Sequence, residues 1–276
     1  MSDRAVAAVG VTLNDIHKRL PPWARATVLA GMCGSHVHGT WIPPEDPSGT
    51  DDVDVFSVIV HPRPHYMGLD YFRRAEQSYQ THGEGLDIAV FEAVHYIDLL
   101  SKGNPNVNLY LWLEPHEYFA RAAAGEVLIA VRDAFISEKM FASFGGYAYA
   151  QLKRMTHGER MGYMGEKRKA LFDERGYDTK NAAHCVRLFY TALRLARTGK
   201  LVPKLEGDEL AMVLSIKTGT ASLNFVEQLA TNLDAEFRAA VQVCMLAHRF
   251  PPRPDPDVMN RIVRDVLETQ WSEWRQ

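Results

Sequence analysis

The run VDVFSVIV at residues 53–60 constrains this chain most. Its β-branched and aromatic residues mark a strand with little water on either face. Yet Asp52 and Asp54 stand at its start. Side chains alternate along a strand, so these two aspartates share one face while Val53 and Val55 take the other. Carboxylates are seldom buried unless paired or bound to a metal. A turn, a salt-bridge site and a metal site are the three ways to accommodate them.

Two further strands are expected nearby, ATVLAGM at 26–32 and LDIAVFE at 86–92. Pro62 and Pro64 place a loop and then an irregular or edge segment between the second and third. From Ala93 the pattern turns helical. AVHYIDLLSK ends at Gly103 as a C-cap, and Pro105 suits the first turn of the next helix, NVNLYLWL. Asn104 and Asn106 are the capping and turn residues around it. Beyond residue 118 the spacing predicts helices at 118–133, 137–157, 178–198, 207–216, 222–248 and 256–274. The expected architecture is α+β: a small mixed unit over residues 1–135 and an all-helical unit over 136–276.

Composition narrows the class. No run of about 18 apolar residues exists to span a membrane. The N-terminal stretch lacks a secretory h-region, and Cys33, Cys185 and Cys244 are scattered, without a C-x-x-C pair. A cytoplasmic protein with free thiols is the expectation. The net charge of -3 hides an asymmetry: residues 152–204 hold six lysines and seven arginines against five acids. Such a segment is either a solvated helix face or a localised anion site.

The turn after the first strand, Gly34-Ser35 with Gly39 following, is a layout whose backbone N–H groups and hydroxyl can cradle a phosphate. A phosphate beside the Asp52-x-Asp54 pair would suit Mg²⁺, which takes one or two carboxylates plus substrate phosphates. Asp87, between Leu86 and Ile88, is either a strand-end aspartate facing solvent or the third member of that site. His36 and His38 lack a third ligand at zinc spacing and are taken as site lining. Lys180, His184 and Arg187 fall at i, i+4 and i+7 and share one helix face. Arg194 and Arg197 lie further along the same helix, where they could track a polynucleotide backbone.

Gly34-Ser35, Asp52-x-Asp54 and Asp87 together resemble the nucleotidyltransferase superfamily typified by DNA polymerase beta. The stretch from Lys102 to Asn106 and the segment KNAAHCVRLFYTALRLARTGKL narrow the resemblance to the RNA-repair-associated, RlaP-type family of bacteria and phages. The resemblance implies a polymerase-beta-like core, a short mixed sheet with flanking helices, followed by an all-helical domain. It also implies transfer of a nucleotidyl group from a nucleoside triphosphate, with Mg²⁺ or Mn²⁺, to an acceptor hydroxyl such as an RNA or DNA 3′ end. Carried over by position, Gly34, Ser35, Lys180, His184 and Arg187 would bind the triphosphate. Asp52, Asp54 and Asp87 would hold the metals and serve catalysis. Two departures stand out: Asp51 replaces the serine of many relatives, and the insert TWIPPEDPSG is longer than in the shortest ones. Competing readings are a non-catalytic nucleotide or nucleic-acid binding module, a nucleotidyltransferase acting on a small molecule or protein, and a metal-dependent phosphohydrolase.

Overall fold

The computed structural model describes residues 10–43, 45–49, 52–67, 77–83, 85–157 and 166–275. The chain is α+β, with a small mixed five-stranded sheet and many helices. It divides into two compact units. One comprises the described residues of Met1–Val37, Asp52–Ile136 and Arg253–Gln276. The other comprises those of His38–Asp51 and Ser137–Pro252.

The first unit contains helix α1 (Leu13–Lys18), strands β1 (Thr27–Met32) and β2 (Val53–Ile59), and a short helix α2 (Arg63–Met67). The chain continues through β3 (Ser78–Thr81), β4 (Leu86–Glu92), α3 (Ala93–Ser101), α4 (Pro105–Leu109), β5 (Tyr118–Arg121) and α5 (Ala123–Ala130). The strand order is β3-β4-β2-β1-β5. Among the described residues β2 and β4 run parallel, while β1 pairs antiparallel with β2 and β5, and β3 with β4. Val55 to Ile59 of β2 are all buried, as a central strand covered on both faces requires. β4 alternates buried and half-buried positions, and β3, at the edge, is polar and exposed on alternate residues.

Three expected strands appear at the expected places, and Asn104 caps α4 by accepting from the Asn106 and Val107 amides. One expectation is corrected. Residues 118–121 are not helical: Tyr118 to Arg121 add β5 to the sheet by pairing with β1. The alanine-rich run that follows carried the helical period back over them, but aromatic Tyr118 and Phe119 find burial as strand residues. The sheet is flanked by helices: α5 packs on β1, and α3 on β4 and β2. Helix α11 (Pro256–Glu273), started by the Asp255 cap, closes over α3 and α5 with Ile262, Val266 and Leu267 buried.

The second unit is built on the helices α6 (Glu138–His157), α7 (Glu166–Arg175), α8 (Thr179–Thr198), α9 (Gly207–Lys217) and α10 (Leu223–Leu246). Helix α8 is its axis, packed against α6, α9 and α10. Asp178 starts it, accepting from the Asn181 amide while a bidentate Arg168 offsets its buried charge. Gly199 ends it in the left-handed conformation, at φ 76°. The segment after Val37 belongs to this unit. Leu205 donates its amide to the His38 carbonyl, and Lys217 Nζ donates to the Thr40 carbonyl at 2.7 Å.

Candidate active site

The candidate site forms where β2 and β4 begin. In their parallel register Asp54 lies opposite Asp87, Val53 opposite Leu86 and Val55 opposite Ile88. Directly opposed residues share a face, so two carboxylates stand side by side, each partly buried. Like charges so placed destabilise a sheet by roughly 0.2–1 kcal/mol unless a cation offsets them. Asp52, just before β2, is exposed. Asp51 lies outside the described residues.

The glycine turn is built against this pair. The Cys33 amide donates to the Asp54 carbonyl at 2.8 Å, one step beyond the last β1–β2 pair, Met32 with Val55. Gly34 follows at φ 62°, and a Cβ added there would fall 2.0 Å from Asp54 Oδ2. Both the backbone conformation and the space admit glycine alone. Ser35 is half-buried in the same turn.

Beneath the carboxylates lies an aromatic and thiol floor. Tyr110 stacks on fully buried Phe56, ring centroids 4.4 Å apart, with the buried Cys33 thiol beside it. Burial raises the Cys33 thiol well above its ordinary range, and the negative charge of Asp54 pushes it the same way. Burial likewise raises the Tyr110 hydroxyl, so both groups stay protonated at neutral pH.

On the other side of Asp87, His82 Nδ1 approaches Oδ2 to 3.0 Å. His82 had no signal of its own in the sequence, because β3 is short and polar. Only the hairpin register, with Thr81 opposite Ile88, brings it beside Asp87.

Among the described residues no group of three or more His, Cys, Asp or Glu side chains is arranged to hold a metal ion. Two adjacent carboxylates are nonetheless the usual protein share of a Mg²⁺ site completed by substrate phosphates and water. The donor set therefore fits a substrate-bridged divalent ion, and not an all-protein cage.

Lys180, His184 and Arg187 lie in the second unit, on α8. Arg187 is only 5% exposed, and His184 Nε2 is buried without a hydrogen-bond partner among the described residues. Burial depresses the His184 imidazole well below its usual range, helped by the charges of Arg187, Lys180 and Arg154. His38 pairs its Nδ1 with the Pro203 carbonyl at 3.0 Å. It is depressed by burial and by Arg187. Arg194 pairs with Glu209 and Arg197 with Glu236.

The chain is thus an α+β protein with two carboxylates in register beside a glycine turn. The chain belongs to the RNA repair pathway DNA polymerase beta family, RlaP, whose description matches residues 7–263. No curated protein and no solved structure matches it. Family membership suggests a nucleotidyltransferase. No helix among the described residues is long and apolar enough to cross a membrane.

Proposed function

We propose that this chain is a divalent-metal-dependent nucleotidyltransferase that moves a nucleoside monophosphate from a triphosphate to an acceptor hydroxyl. The observation that carries this reading is the in-register pair Asp54–Asp87 beside Gly34. The family description names RNA repair, so an RNA 3′ end is the acceptor we favour. In the reaction a bond forms between the acceptor oxygen and the α-phosphorus. The bond from that phosphorus to the bridging oxygen breaks, and pyrophosphate leaves.

Asp54 and Asp87 would hold Mg²⁺ or Mn²⁺, with Asp52 as the further ligand. The ion would supply charge stabilisation for the transferring phosphoryl group. The chain's own part is positional. The Gly34-Ser35 turn would present N–H groups and a hydroxyl to the triphosphate. Asp87, the carboxylate toward the edge of the sheet, would receive the acceptor's proton. Lys180, His184 and Arg187 on α8 are the second unit's proposed triphosphate-binding face, where the two cations would offset phosphate charge and the neutral His184 ring would only line the face. We assign catalysis to the sheet within residues 1–135; of the helical residues 136–276, Arg253–Gln276 belong to the sheet-bearing unit.

The test is incubation of the protein with labelled triphosphates, Mg²⁺ and RNA oligonucleotides. Wild type should extend the RNA 3′ end and release pyrophosphate. Asp87→Asn should lower the rate by about 100-fold or more while the fold survives, as loss of a positioned catalytic group does. Nucleotide binding that is metal-independent and equal in wild type and Asp87→Asn, with no transfer, would leave only a binding module.

A further inference from the structure

We propose that His82 is a positioning residue for Asp87. The inference rests on the nucleotidyltransferase reading, and adds a residue to it. His82, Asp87 and Asp54 form one row across three neighbouring strands: β4 lies between β2 and β3, Asp54 opposes Asp87, and His82 is one step along from the Thr81–Ile88 pair. His82 Nδ1 is 3.0 Å from Asp87 Oδ2. A carboxylate can only accept, so Nδ1 carries the proton and donates. That bond occupies Oδ2 and leaves Oδ1 for another partner.

The imidazole is 68% exposed, and a pair so open to water adds little stability. Its backbone, however, is not left to chance. The Leu86 amide donates to the Gly83 carbonyl at 3.1 Å, closing the turn. The Arg19 guanidinium donates to the carbonyls of both Gly83 and Leu86 from outside the hairpin. Gly83 and Gly85 supply the positive φ that the turn needs. A clamped hairpin thus holds a donor against one oxygen of a half-buried carboxylate, whose side chain is 28% exposed. Hydrogen bonds from such outer partners fix the orientation of ligating groups, and their loss costs typically about 10–100-fold in metal affinity. The role assigned to His82 is orientation of Asp87, so another donor of similar reach should replace it.

The experiment titrates Mn²⁺ by calorimetry into the full chain saturated with a non-hydrolysable triphosphate, with the triphosphate alone as blank, for wild type, His82→Ala and His82→Asn, with transfer to RNA assayed in parallel. The expected result is about 10-fold weaker Mn²⁺ binding in His82→Ala, with His82→Asn near wild type. In wild type, ¹⁵N spectra should show the neutral ring as the Nδ1–H tautomer, reverting toward Nε2–H in Asp87→Ala. Equal Mn²⁺ affinity in wild type and His82→Ala overturns the inference, whether or not transfer occurs. So does a tautomer that ignores Asp87. Weaker binding in His82→Ala with rescue by His82→Asn, but no transfer from any triphosphate, upholds the positioning role and sinks the nucleotidyl reading. A wild type that binds no Mn²⁺ overturns both.

Discussion

Gly34 holds the closest approach in the candidate site, and its replacement separates two effects. At φ 62° an alanine meets the left-handed penalty of roughly 1–2 kcal/mol. Its methyl would also fall 2.0 Å from Asp54 Oδ2, so the carboxylate must move. Gly34→Ala should therefore lower unfolding free energy by about 1–3 kcal/mol, measured in urea. It should also cut Mg²⁺-dependent transfer far more than that loss of stability explains. Gly10, at φ 63° with open space around it, is the control: alanine there meets the backbone penalty without the clash. Part of this was legible beforehand. A glycine after a strand marks a turn, and alternation places Asp52 and Asp54 on one face. What periodicity could not tell is that Asp54 and Asp87 meet in register, or that His82 joins them, because pairing between strands is a long-range contact. His82 also sits after SYQT, a segment too polar to announce a strand.

Elements are positioned by the glycines that let them approach. Gly125 lies in α5, and a Cβ there would come within 2.3 Å of the Val28 carbonyl of β1. Ordinary helix propensity favours alanine over glycine by about 1 kcal/mol, but overpacking of this kind costs about 1–3 kcal/mol. The clash wins because the neighbour is backbone of a buried strand and cannot rotate away. Gly146, in α6, is exposed with nothing within 4 Å of its Cβ position. Gly146→Ala should raise the urea midpoint by the equivalent of up to about 1 kcal/mol, and Gly125→Ala should lower it. Identical shifts in the two variants would mean that α5 does not seat on β1 as described. The same packing explains which elements the sequence disclosed. β1, β2 and β4 carry continuous or alternating apolar residues and were legible. β5 was masked by the alanine run behind it, and α7, with EKRKALFDER, has too weak an apolar stripe to stand out.

At the scale of the whole chain, the second unit gathers buried cationic and imidazole groups, and this should make it acid-sensitive. His38 and His184 both have imidazoles held well below their usual range. For each, burial is the main cause, with Arg187 next. Lys180 and Arg154 also face His184, and Lys217 faces His38. Both rings are thus neutral in the folded chain at pH values where the unfolded chain binds protons. Stability from this source is complete above the unfolded histidine pKa of about 6.5 and falls as pH drops below it toward the folded values. Each ring contributes up to about 1.4 kcal/mol per pH unit in that window. Between pH 7.5 and 5.5 stability should therefore fall, by no more than about 3 kcal/mol for the two together, read from urea unfolding by far-UV ellipticity. His184→Leu should roughly halve that loss. It should leave stability at pH 7.5 unchanged or improved, because Nε2 has no hydrogen bond to forfeit among the described residues. A pH profile that is flat from 7.5 to 5.5, or one that His184→Leu leaves untouched, would show that these rings are not buried neutral. Local spacing revealed the Lys180, His184 and Arg187 face, but not that His38 joins it. That contact depends on the chain leaving the sheet-bearing unit after Val37 and returning at Asp52, a route that no local pattern encodes.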